Sequence, residues 1–595
     1  MKKYVFITAV SFFFMTLSAG PAFLGYLYPS GGQRGTTVRV VAGGQGFGGN
    51  VTLLSDNPGV KLKSVARVPN MGYFHPPQRK FLHQFIKNVY AGKMEKPPMP
   101  EDTGDYVWRK HQWLDELDKL PMLERSMVAQ ALLVRASSLQ EAPSISQRVI
   151  MDIEIAPDAP AGACRLRIVS GRNISNEKLF FIDTAGEVIE HPYYPPFAKK
   201  PELAVITEFP AVLNGQIMPG ETDVFPVQLQ GGQNYTFIMR AAELSPYLGD
   251  AVPGHFQGVL SLRDARNQEM AFADDEYHHP DPVLRFTAPA SGIYTLHVSD
   301  SIKRGRADFV YRIKVIEGNK PFEPYRNCSG YRPRTLEYAA GDVPQMISPA
   351  LRKNGLDIKG YLDSPAGISF RISGCKGERT IFELFAARLD SPLDGVLVLR
   401  DEQGKIIAQN DDFPQNINLD LCRRPVDPLL DVTFPADGNY FLQLFPRGSS
   451  TGKDHSYTLQ IRPPEPSVTV AAANSVLALN GKGVGKMRFM LRREDGFNGE
   501  VEIVSPQLTA VDRALIPAGE DSGEFSFYLT DPPKKSRIIQ LEIFAEYTVN
   551  GKKISVPVIP ADEAMQAFAY THLVAAGKFY CFTIRHVPTA KVSAK

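Results

Sequence analysis

The chain has 595 residues, which at roughly 150 residues per domain corresponds to about four domains with separate cores. Hydrophobic residues make up 43%, charged residues 22% and aromatic residues 10%, a balance typical of folded proteins that excludes disorder as the main state. The formal charge of +2 gives the whole chain no electrostatic reason to bind nucleic acid. The 48 glycines and 47 prolines recur between short β-branched runs, which favours strands and turns.

The first residues have the pattern of a secretory signal peptide. Lys2 and Lys3 precede an apolar run over 4–17, and small residues follow it. The run is shorter than the roughly 20 residues that a membrane span needs. We predict a signal peptide over 1–22, cleaved after Ala19 or Ala22, with an uncleaved anchor as the alternative. The mature chain is then predicted to be secreted, periplasmic or at the cell surface, with no transmembrane anchor.

The five cysteines are Cys164, Cys328, Cys375, Cys422 and Cys581. Their number is odd, so at least one thiol is unpaired or intermolecular, and disulfides are not the main scaffold. Cys375 and Cys422 fall in one proposed domain and could pair, although sequence spacing does not fix the geometry. The motifs of zinc ribbons, thioredoxin-like sites and c-type haem attachment are absent from the sequence.

A first β-domain is predicted over 23–190, interrupted by a helical insertion over 76–141. The strand over 38–42 and the glycine turn after it resemble the opening of transcription-factor-type immunoglobulin (IPT/TIG-like) domains. In the insertion, hydrophobic residues recur at helical spacing: Phe81, Leu82, Phe85, Ile86 and Val89, then Trp113, Leu114, Leu117 and Leu120. Two interpretations stay open, a partner-binding or lid element and a helical cap packed on its host sandwich, of which we favour the cap.

A duplication forms the middle of the chain. The stretch GVLSLRD at 258–264 matches GVLVLRD at 395–401, and both copies close on an alternating strand. Between these ends both copies contain an acidic pair, an Asp-Pro strand and a Pro-Ala-x-Gly-x-Tyr turn, the last at 289–294 and 435–440. Two copies of one antiparallel β-sandwich are therefore predicted, over 200–318 and 340–463.

These repeated motifs resemble bacterial pre-peptidase C-terminal (PPC-like) domains. The turns Pro-Ala-Ser-Gly-Ile-Tyr and Pro-Ala-Asp-Gly-Asn-Tyr are the most specific parts of the resemblance. Membership of that family implies a jelly-roll-like β-sandwich, usually appended to secreted bacterial enzymes or surface proteins. The peptidase domain that usually accompanies such modules is absent from this sequence, so the resemblance carries no proteolytic role.

A last β-domain is predicted over 466–560, followed by a C-terminal tail over 561–595. Alternation in its strands is typical of half-buried sheets. The stretch 493–501 and the tail are similar to the C-terminal immunoglobulin-like modules found beside PPC-like domains in large secreted bacterial proteins. The expected fold class is thus mainly β, with tandem antiparallel β-sandwich (jelly-roll or immunoglobulin-like) domains and one helical insertion in the N-terminal domain.

Catalytic chemistry lacks its usual signals in the sequence. We expect no G-x-S-x-G nucleophile elbow and no Cys or Ser in a recognisable triad phrase, although a triad can also be assembled in space. None of the 11 histidines stands in H-E-x-x-H. His278 and His279, flanked by Glu276 and Asp281, have the side chains to bind a metal, but a solvated polar loop is the favoured interpretation.

The acidic loop of each repeat is the best candidate for chemistry. Ca²⁺ takes six to eight oxygen ligands, and acidic residues recur at matching places in both copies. Aspartate is also a routine turn residue, because its carboxylate accepts hydrogen bonds from nearby backbone amides. The sequence predicts calcium sites at Asp274, Asp275 and Asp281 in the first copy, and at Asp411, Asp412 and Asp427 in the second.

Tyr193 and Tyr194, which lie among prolines, suggest either a glycan platform or, as we favour, a stiff linker packed on its neighbour.

The sequence therefore predicts a secreted, non-catalytic binding or structural protein whose partner is a protein or polysaccharide at the cell surface. A secreted hydrolase, or an accessory part of a peptidase system, with its site at a domain junction is the alternative. A third hypothesis is an assembly factor that grips a partner through Trp108 or Trp113.

Overall fold

The chain is mainly β, built from antiparallel β-sandwiches in series, as the sequence predicts. The computed structural model describes residues 22–68, 73–99, 110–133, 143–191, 193–195, 197–247, 254–321, 323, 331–412, 427–567 and 570–583. Residues 1–21 of the predicted signal peptide, Trp108, Cys328 and Cys422 lie outside these residues. Within them, no helix combines the length and apolar character that crossing a bilayer requires.

The first domain is a sandwich of two sheets, ordered β1-β3-β6-β5 and β2-β9-β7-β4, with β8 paired to β7. Alternating residues such as Val40, Met151 and Ile168 fill the space between the sheets. The strands are β1 (Phe23–Tyr28), β2 (Gly31–Gln33), β3 (Thr37–Gln45), β4 (Val51–Ser55), β5 (Val60–Val68), β6 (Gln147–Ile155), β7 (Gly162–Ser170), β8 (Asn173–Ile174) and β9 (Lys178–Asp183).

The predicted helical insertion is confirmed between β5 and β6. Its helices are α1 (Pro76–Tyr90), α2 (Gln112–Glu116) and α3 (Met122–Leu133). The insertion has its own core, in which Trp113 is only 2% exposed and stacks on Phe74. An ion pair between Arg39 of β3 and buried Glu124 of α3 fixes the insertion to the sheet. It is a cap on its host sandwich, and Trp113 is a core residue of that cap.

The two predicted repeats have the same topology. In the first, the sheets are β10-β11-β18-β13-β16 and β12-β17-β14-β15, and in the second β19-β20-β27-β22-β25 and β21-β26-β23-β24. The first repeat has strands β10 (Gly186–Ile189), β11 (Ala211–Gln216), β12 (Asp223–Leu229), β13 (Asn234–Arg240), β14 (Gly258–Arg263), β15 (Glu269–Ala273), β16 (Val283–Thr287), β17 (Gly292–Asp300) and β18 (Val310–Glu317). The second has β19 (Leu336–Ala339), helix α4 (Pro349–Arg352), β20 (Leu356–Tyr361), β21 (Ile368–Gly374), β22 (Arg379–Phe385), β23 (Gly395–Asp401), β24 (Ile406–Asn410), β25 (Leu429–Thr433), β26 (Gly438–Pro446) and β27 (Ser456–Arg462).

The shared Pro-Ala-x-Gly-x-Tyr turn has a direct physical role. The Tyr294 hydroxyl donates a 2.9 Å hydrogen bond to the Ala290 carbonyl, and the Tyr440 hydroxyl donates a 2.8 Å bond to Ala436. Each tyrosine ring is buried in its sandwich core while its hydroxyl closes the turn. The motif therefore fixes the entry of β17 and of β26.

Each repeat also begins with a short parallel edge strand that the sequence analysis missed. β10, at the end of the predicted first domain, pairs in parallel with β11, and β19 pairs in the same way with β20. Four residues with no strict alternation give little sequence signal. Because β10 follows the first domain without a long linker, the first domain and first repeat are directly joined.

The last domain includes residues that the sequence analysis placed in a tail. β40 lies between β29, which is parallel to it, and β35, and its residues Phe579 and Cys581 enter the domain core. The strands are β28 (Ser467–Ala472), β29 (Val476–Leu477), β30 (Val484–Glu494), β31 (Val501–Val504), β32 (Leu508–Ala510), β33 (Leu515–Ile516), β34 (Ser522–Leu529), β35 (Ile538–Leu541), β36 (Phe544–Val549), β37 (Lys552–Pro557), β38 (Ala561–Ala567), β39 (Tyr570–Ala575) and β40 (Phe579–Phe582).

Three cysteines lie in the described part of the chain and are free thiols. Cys375 is exposed, while burial raises the pKa of Cys164 and of Cys581 to about 12. Buried thiols of this kind behave as small apolar core residues. The predicted Cys375–Cys422 pair stays a prediction, because Cys422 lies outside the described residues.

Arg167 of β7 joins the first domain to the last. Its guanidinium is buried and pairs with Glu177 at 3.3 Å. It also donates to Ser475 Oγ at 2.9 Å and to the Lys578 carbonyl at 3.3 Å, and it lies over the Tyr580 ring. Neighbouring domains along the chain also contact each other, as in the 2.7 Å ion pair of Lys314 with Asp183. Because the first and last domains are in contact as well, the four domains form a closed arrangement.

We expect Arg167→Met to weaken the contact between the first and last domains by about 3–5 kcal/mol, because the Glu177 carboxylate is left buried beside an apolar side chain. Hydrogen exchange of the β8 and β40 amides measures this loss. Arg165→Met is the matched control, since Arg165 also pairs with Glu177, at 3.2 Å, but is part-exposed. Equal exchange in the two variants would contradict the role given to Arg167.

Candidate functional site

Asp281, a predicted calcium ligand, is buried and holds the backbone after β13. Its Oδ2 accepts a 3.0 Å hydrogen bond from the Ala241 amide, and its Oδ1 accepts a 2.8 Å bond from the Ala242 amide. Burial raises the pKa of Asp281 to about 7, although these two amides favour its ionised form. Both carboxylate oxygens are thus engaged by main-chain donors.

Asp427 holds the backbone after β22 in the second repeat. It accepts hydrogen bonds from the amides of Ala386, Ala387 and Arg388, at 3.1, 2.8 and 3.0 Å, and pairs with the Arg388 guanidinium at 2.9 Å. The recurrence of these two aspartates, one of the grounds for the calcium prediction, therefore has a structural reason. Each caps the chain where it leaves the central strands of a sheet.

The paired acidic residues lie at the surface. Asp274, Asp275 and Asp412 are exposed, and Asp411 is half-exposed with its Oδ2 3.5 Å from Arg447. Within the described residues, the six predicted ligands do not supply three acidic oxygens within 4.8 Å of one another. Calcium binding at these loops stays a prediction.

The segment that Asp281 caps, residues 241–247, is called here the junction segment. Its turn is closed by the Leu244 and Ser245 amides, which donate to the Ala241 carbonyl. The Leu244 carbonyl accepts a 3.2 Å bond from Lys178 Nζ of the first domain. His572 of the last domain lies 2.9 Å, through Nε2, from the Pro246 carbonyl. One short segment therefore connects three domains.

A cavity of about 360 Å³ lies where these three domains meet, and we call it the junction cavity. A volume of this size is within the range of ligand pockets, about 300–1,000 Å³. Its wall combines apolar residues with a few charged ones: Ala22, Phe23, Gln45, Ile174, Asn176, Glu177, Lys178, Leu179, Leu244, Pro246, Tyr247, Ala473, Asn474, Val476, Ala478, Lys486, Asp562, Glu563, Ala564 and Val574.

Most polar groups of this wall are engaged by the protein itself. The Asn176 side chain bonds to both the amide and the carbonyl of Leu24, at 2.7 and 2.9 Å, and so covers the free edge of β1. Asp562 accepts two hydrogen bonds from Ser475. Such groups shape and rigidify the cavity, so its capacity for ligand lies chiefly in the apolar side chains.

The other sequence candidates occupy ordinary structural positions. His278 Nε2 lies 3.2 Å from the Pro392 carbonyl and so joins the two repeats, while His279 accepts the Asp281 amide through Nδ1. Tyr193 and Tyr194 are half-buried against Tyr90 of the helical cap. The favoured interpretation of the tyrosines, a packed linker, agrees with this position, although they pack on the cap instead of a sandwich.

One constellation was missed by the sequence analysis. Ser450 Oγ lies 3.0 Å from His455 Nε2, and His455 Nδ1 lies 2.9 Å from Asp454 Oδ1. Ser450 is the central residue of Gly448–Gly452, which has G-x-S-x-G spacing between two strands instead of between a strand and a helix. The expectation of no G-x-S-x-G elbow overlooked this stretch, whose spacing was the available signal. Asp454 also lines a cavity of about 240 Å³ between the two repeats.

One group of carboxylates has metal-binding spacing within the described part of the chain. Oxygens of Glu190, Glu221 and Asp223 lie within 4.8 Å of one another at the boundary of the first domain and the first repeat. The ammonium of Lys200 lies 2.8 Å from Glu221 Oε1. These residues were not singled out in the sequence, because Glu190 is distant from Glu221 and Asp223, which lie together at the start of β12.

Comparison with known proteins does not assign this chain to a family. No family model matches it, and no curated protein matches it. A β-glucuronidase from Bacteroides uniformis has 12% identity over 34% of this chain and 28% of its own, with a TM-score of 0.19. A β-glucuronidase from Ruminococcus gnavus has 11% identity over 35% of each chain, with a TM-score of 0.17. A Salmonella α-2-macroglobulin variant has 10% identity over 75% of this chain and 30% of its own, with a TM-score of 0.12.

The chain spans about a third of the length of these glucuronidases.

Asp281 is expected to make the stability of the first repeat pH-dependent. Its pKa is raised from about 4 in the unfolded chain to about 7 in the folded chain. The folded state then binds the proton more tightly, so the stabilisation is complete below about pH 4 and is lost as the pH rises through about 7. We expect Asp281→Ala to destabilise the first repeat more at pH 5 than at pH 8, as measured by hydrogen exchange of its core amides.

Asp427→Ala is the matched control for this pH dependence. It removes the equivalent carboxylate, but it also leaves the Arg388 guanidinium without its 2.9 Å partner. We expect its loss to be large at both pH values. A loss in Asp281→Ala that is the same at pH 5 and pH 8 would contradict the assignment of the titrating group.

Proposed function

We propose that this chain is a secreted, non-catalytic binding protein that holds an apolar group of a protein partner in the junction cavity. The observation that carries this proposal is a cavity of about 360 Å³ with walls from three domains. Pockets at domain junctions, largely apolar and lined by a few fixed polar groups, are common ligand sites. Secretion and the PPC-like identity of the two repeats belong to the same proposal and rest on the sequence motifs.

The rigidity of the cavity wall supports a binding role. Arg167, which is paired with buried Glu177, donates to Ser475 and to the Lys578 carbonyl and so holds the first and last domains together beside the cavity. The Gly577 amide also donates to Glu177 across the same boundary, at 3.0 Å. A ligand that enters a preformed cavity avoids the entropy cost of ordering its walls.

The wall chemistry favours an apolar protein side chain over a polysaccharide. Leu179, Leu244 and Val574 supply aliphatic surface. A sugar would instead need many unengaged polar groups, whereas Asn176 and Asp562 are bonded to the protein itself. The ligand class we propose is therefore a hydrophobic segment of a protein partner with few polar atoms at its tip.

We expect the mature chain to bind the apolar fluorescent probe 8-anilinonaphthalene-1-sulfonate at one saturable site. Ala564→Phe places a ring on the half-buried cavity wall and is expected to weaken probe binding at least about tenfold, because it fills the space. A fluorescence titration measures both dissociation constants.

Ala265→Phe is the matched control, since Ala265 is exposed in a turn of the first repeat away from the cavity lining. It should leave probe binding unchanged. Thermal unfolding of each variant shows that both are folded. Equal weakening by the two substitutions, or the absence of saturable binding in the unmodified chain, would refute the junction cavity as the ligand site.

A second candidate function, an ester hydrolase, rests on Ser450, His455 and Asp454. The distances of 3.0 and 2.9 Å suit transfer of the Ser450 proton to His455 as Oγ attacks a carbonyl. His455 would return that proton to the leaving alcohol as its C–O bond breaks, and Asp454 would stabilise the imidazolium. Water deprotonated by His455 would then hydrolyse the acyl-Ser450 ester and restore the Ser450 hydroxyl. The candidate stands second because the Asp454 side chain is 60% exposed, so water competes for its hydrogen bond.

If this arrangement is catalytic, the chain hydrolyses p-nitrophenyl acetate faster than buffer, and Ser450→Ala lowers kcat/KM at least about a hundredfold. Release of p-nitrophenolate measures the rate. Ser449→Ala, in the same loop, is the control and should retain the activity. Activity that survives Ser450→Ala removes the hydrolase candidate, and activity that requires Ser450 removes the non-catalytic proposal.

A further inference from the structure

The carboxylate cluster of Glu190, Glu221 and Asp223 lies at the junction of the first domain and the first repeat. Glu190 follows β10, Glu221 is in the loop before β12, and Asp223 begins β12. Glu190 and Asp223 are buried. Burying a carboxylate is unfavourable unless it is paired, protonated or bound to a cation. The question is therefore what compensates the charge of this cluster.

Each carboxylate has one oxygen held by a structural donor. Glu190 Oε1 accepts the Gln216 amide at 2.7 Å, and Glu221 Oε2 accepts the Met218 amide at 3.2 Å. Asp223 Oδ2 accepts the Tyr311 hydroxyl at 2.6 Å. The three other oxygens, Glu190 Oε2, Glu221 Oε1 and Asp223 Oδ1, all approach one point. The donors therefore orient the cluster toward a common cation position.

The ammonium of Lys200 occupies that point incompletely. Its Nζ is 2.8 Å from Glu221 Oε1, but 3.4 Å from Glu190 Oε2 and 3.6 Å from Asp223 Oδ1. Only the distance to Glu221 is that of a good charged hydrogen bond. Lys200 lies on a segment without strand or helix, and its side chain is 32% exposed. It can leave the cluster without disturbing a core.

Tyr28 supplies a further buried oxygen at this domain boundary. It is only 1% exposed, and within the described part of the chain its hydroxyl has no hydrogen-bond partner. Tyr28 ends β1, which contacts β11 and β18, the strands that carry the cluster's donors Gln216 and Tyr311. Burial first, and then the charges of Glu190, Asp223 and Glu221, raise the pKa of Tyr28 well above the usual range. Asp223 Oδ1 likewise accepts no hydrogen bond. Buried oxygens without hydrogen-bond partners thus come from both of the domains that meet at the cluster.

We propose that this cluster is a calcium site, in which Glu190, Glu221, Asp223 and the Tyr28 hydroxyl bind the ion and Lys200 is displaced. The donors are all oxygens, as a hard cation requires. Acidic oxygens within 4.8 Å of one another need to move only a few tenths of an ångström to reach about 2.3–2.6 Å from a shared Ca²⁺. Mg²⁺, with bonds of about 2.0–2.1 Å, would require a larger contraction.

The charge of the cluster supports a divalent ion. Three carboxylates face one ammonium, and burial followed by the nearby charge of Asp223 raises the pKa of Glu190 well above its usual range. Although burial opposes it, the charges of Glu190, Asp223 and Glu221 raise the pKa of Lys200. Burial and the charge of Asp223 thus favour the protonated form of Glu190, and a Ca²⁺ ion bound by both carboxylates would replace that proton.

The test is isothermal titration of the full chain with CaCl₂ after removal of metal by EDTA. We expect one Ca²⁺ per chain, with binding weakened about a hundredfold in Asp223→Asn, because the site loses a charged ligand. Tyr28→Phe removes only an unpartnered hydroxyl, keeps the fold, and should weaken binding about fivefold. Lys200→Met removes the competing ammonium and should tighten binding about tenfold.

The double variant Asp274→Ala, Asp411→Ala is the matched control, since it alters the two surface acidic loops and leaves the cluster intact. Binding that is unchanged in it and lost in Asp223→Asn supports the site. Binding lost in the control and kept in Asp223→Asn overturns the proposal in favour of the acidic loops. Absence of binding in the unmodified chain also overturns it, even if Lys200→Met binds Ca²⁺, because Lys200 would then be the permanent cation.

Discussion

A buried charge that needs partners from two domains is the constraint on which this structure depends. Arg167 lies on the face of β7 opposite the core residues Leu166 and Ile168, buried against the last domain, where an unpaired guanidinium is strongly destabilising. Its partners are Glu177, from the same domain, and Ser475 and the Lys578 carbonyl, from the last. Neither domain satisfies this group alone, so the ends of a long chain are joined through a polar contact that is specific in geometry.

The same principle acts at the other domain boundaries. Asp281 and Asp427 hold the segments that follow β13 and β22, and each of these segments then contacts a neighbouring domain. In the first repeat the contact is Pro246 with His572, and in the second it is Pro392 with His278. A duplicated sandwich thus carries a duplicated means of docking, although the two copies dock against different partners.

The sequence predicts the sandwiches well and the sites poorly. Alternation along strands and the repeated Pro-Ala-x-Gly-x-Tyr turn are local signals, and they located both repeats and the helical cap. Asp281 was recognised as important, but a carboxylate that caps backbone amides and one that binds a metal have the same sequence appearance. The Glu190, Glu221 and Asp223 cluster was missed because Glu190 is distant in sequence from the other two and reaches them only through the pairing of β10 with β11.

The position of β40 has a consequence for the order of assembly. This strand lies between β29 and β35, and the hydrogen bond from Gly577 to Glu177 next to it spans 400 residues of chain. Contacts between such distant residues form late, because a long loop must close first. The first three sandwiches can therefore be complete before the last one docks. The closed arrangement and the junction cavity then form together, when the last domain docks in the final step of folding.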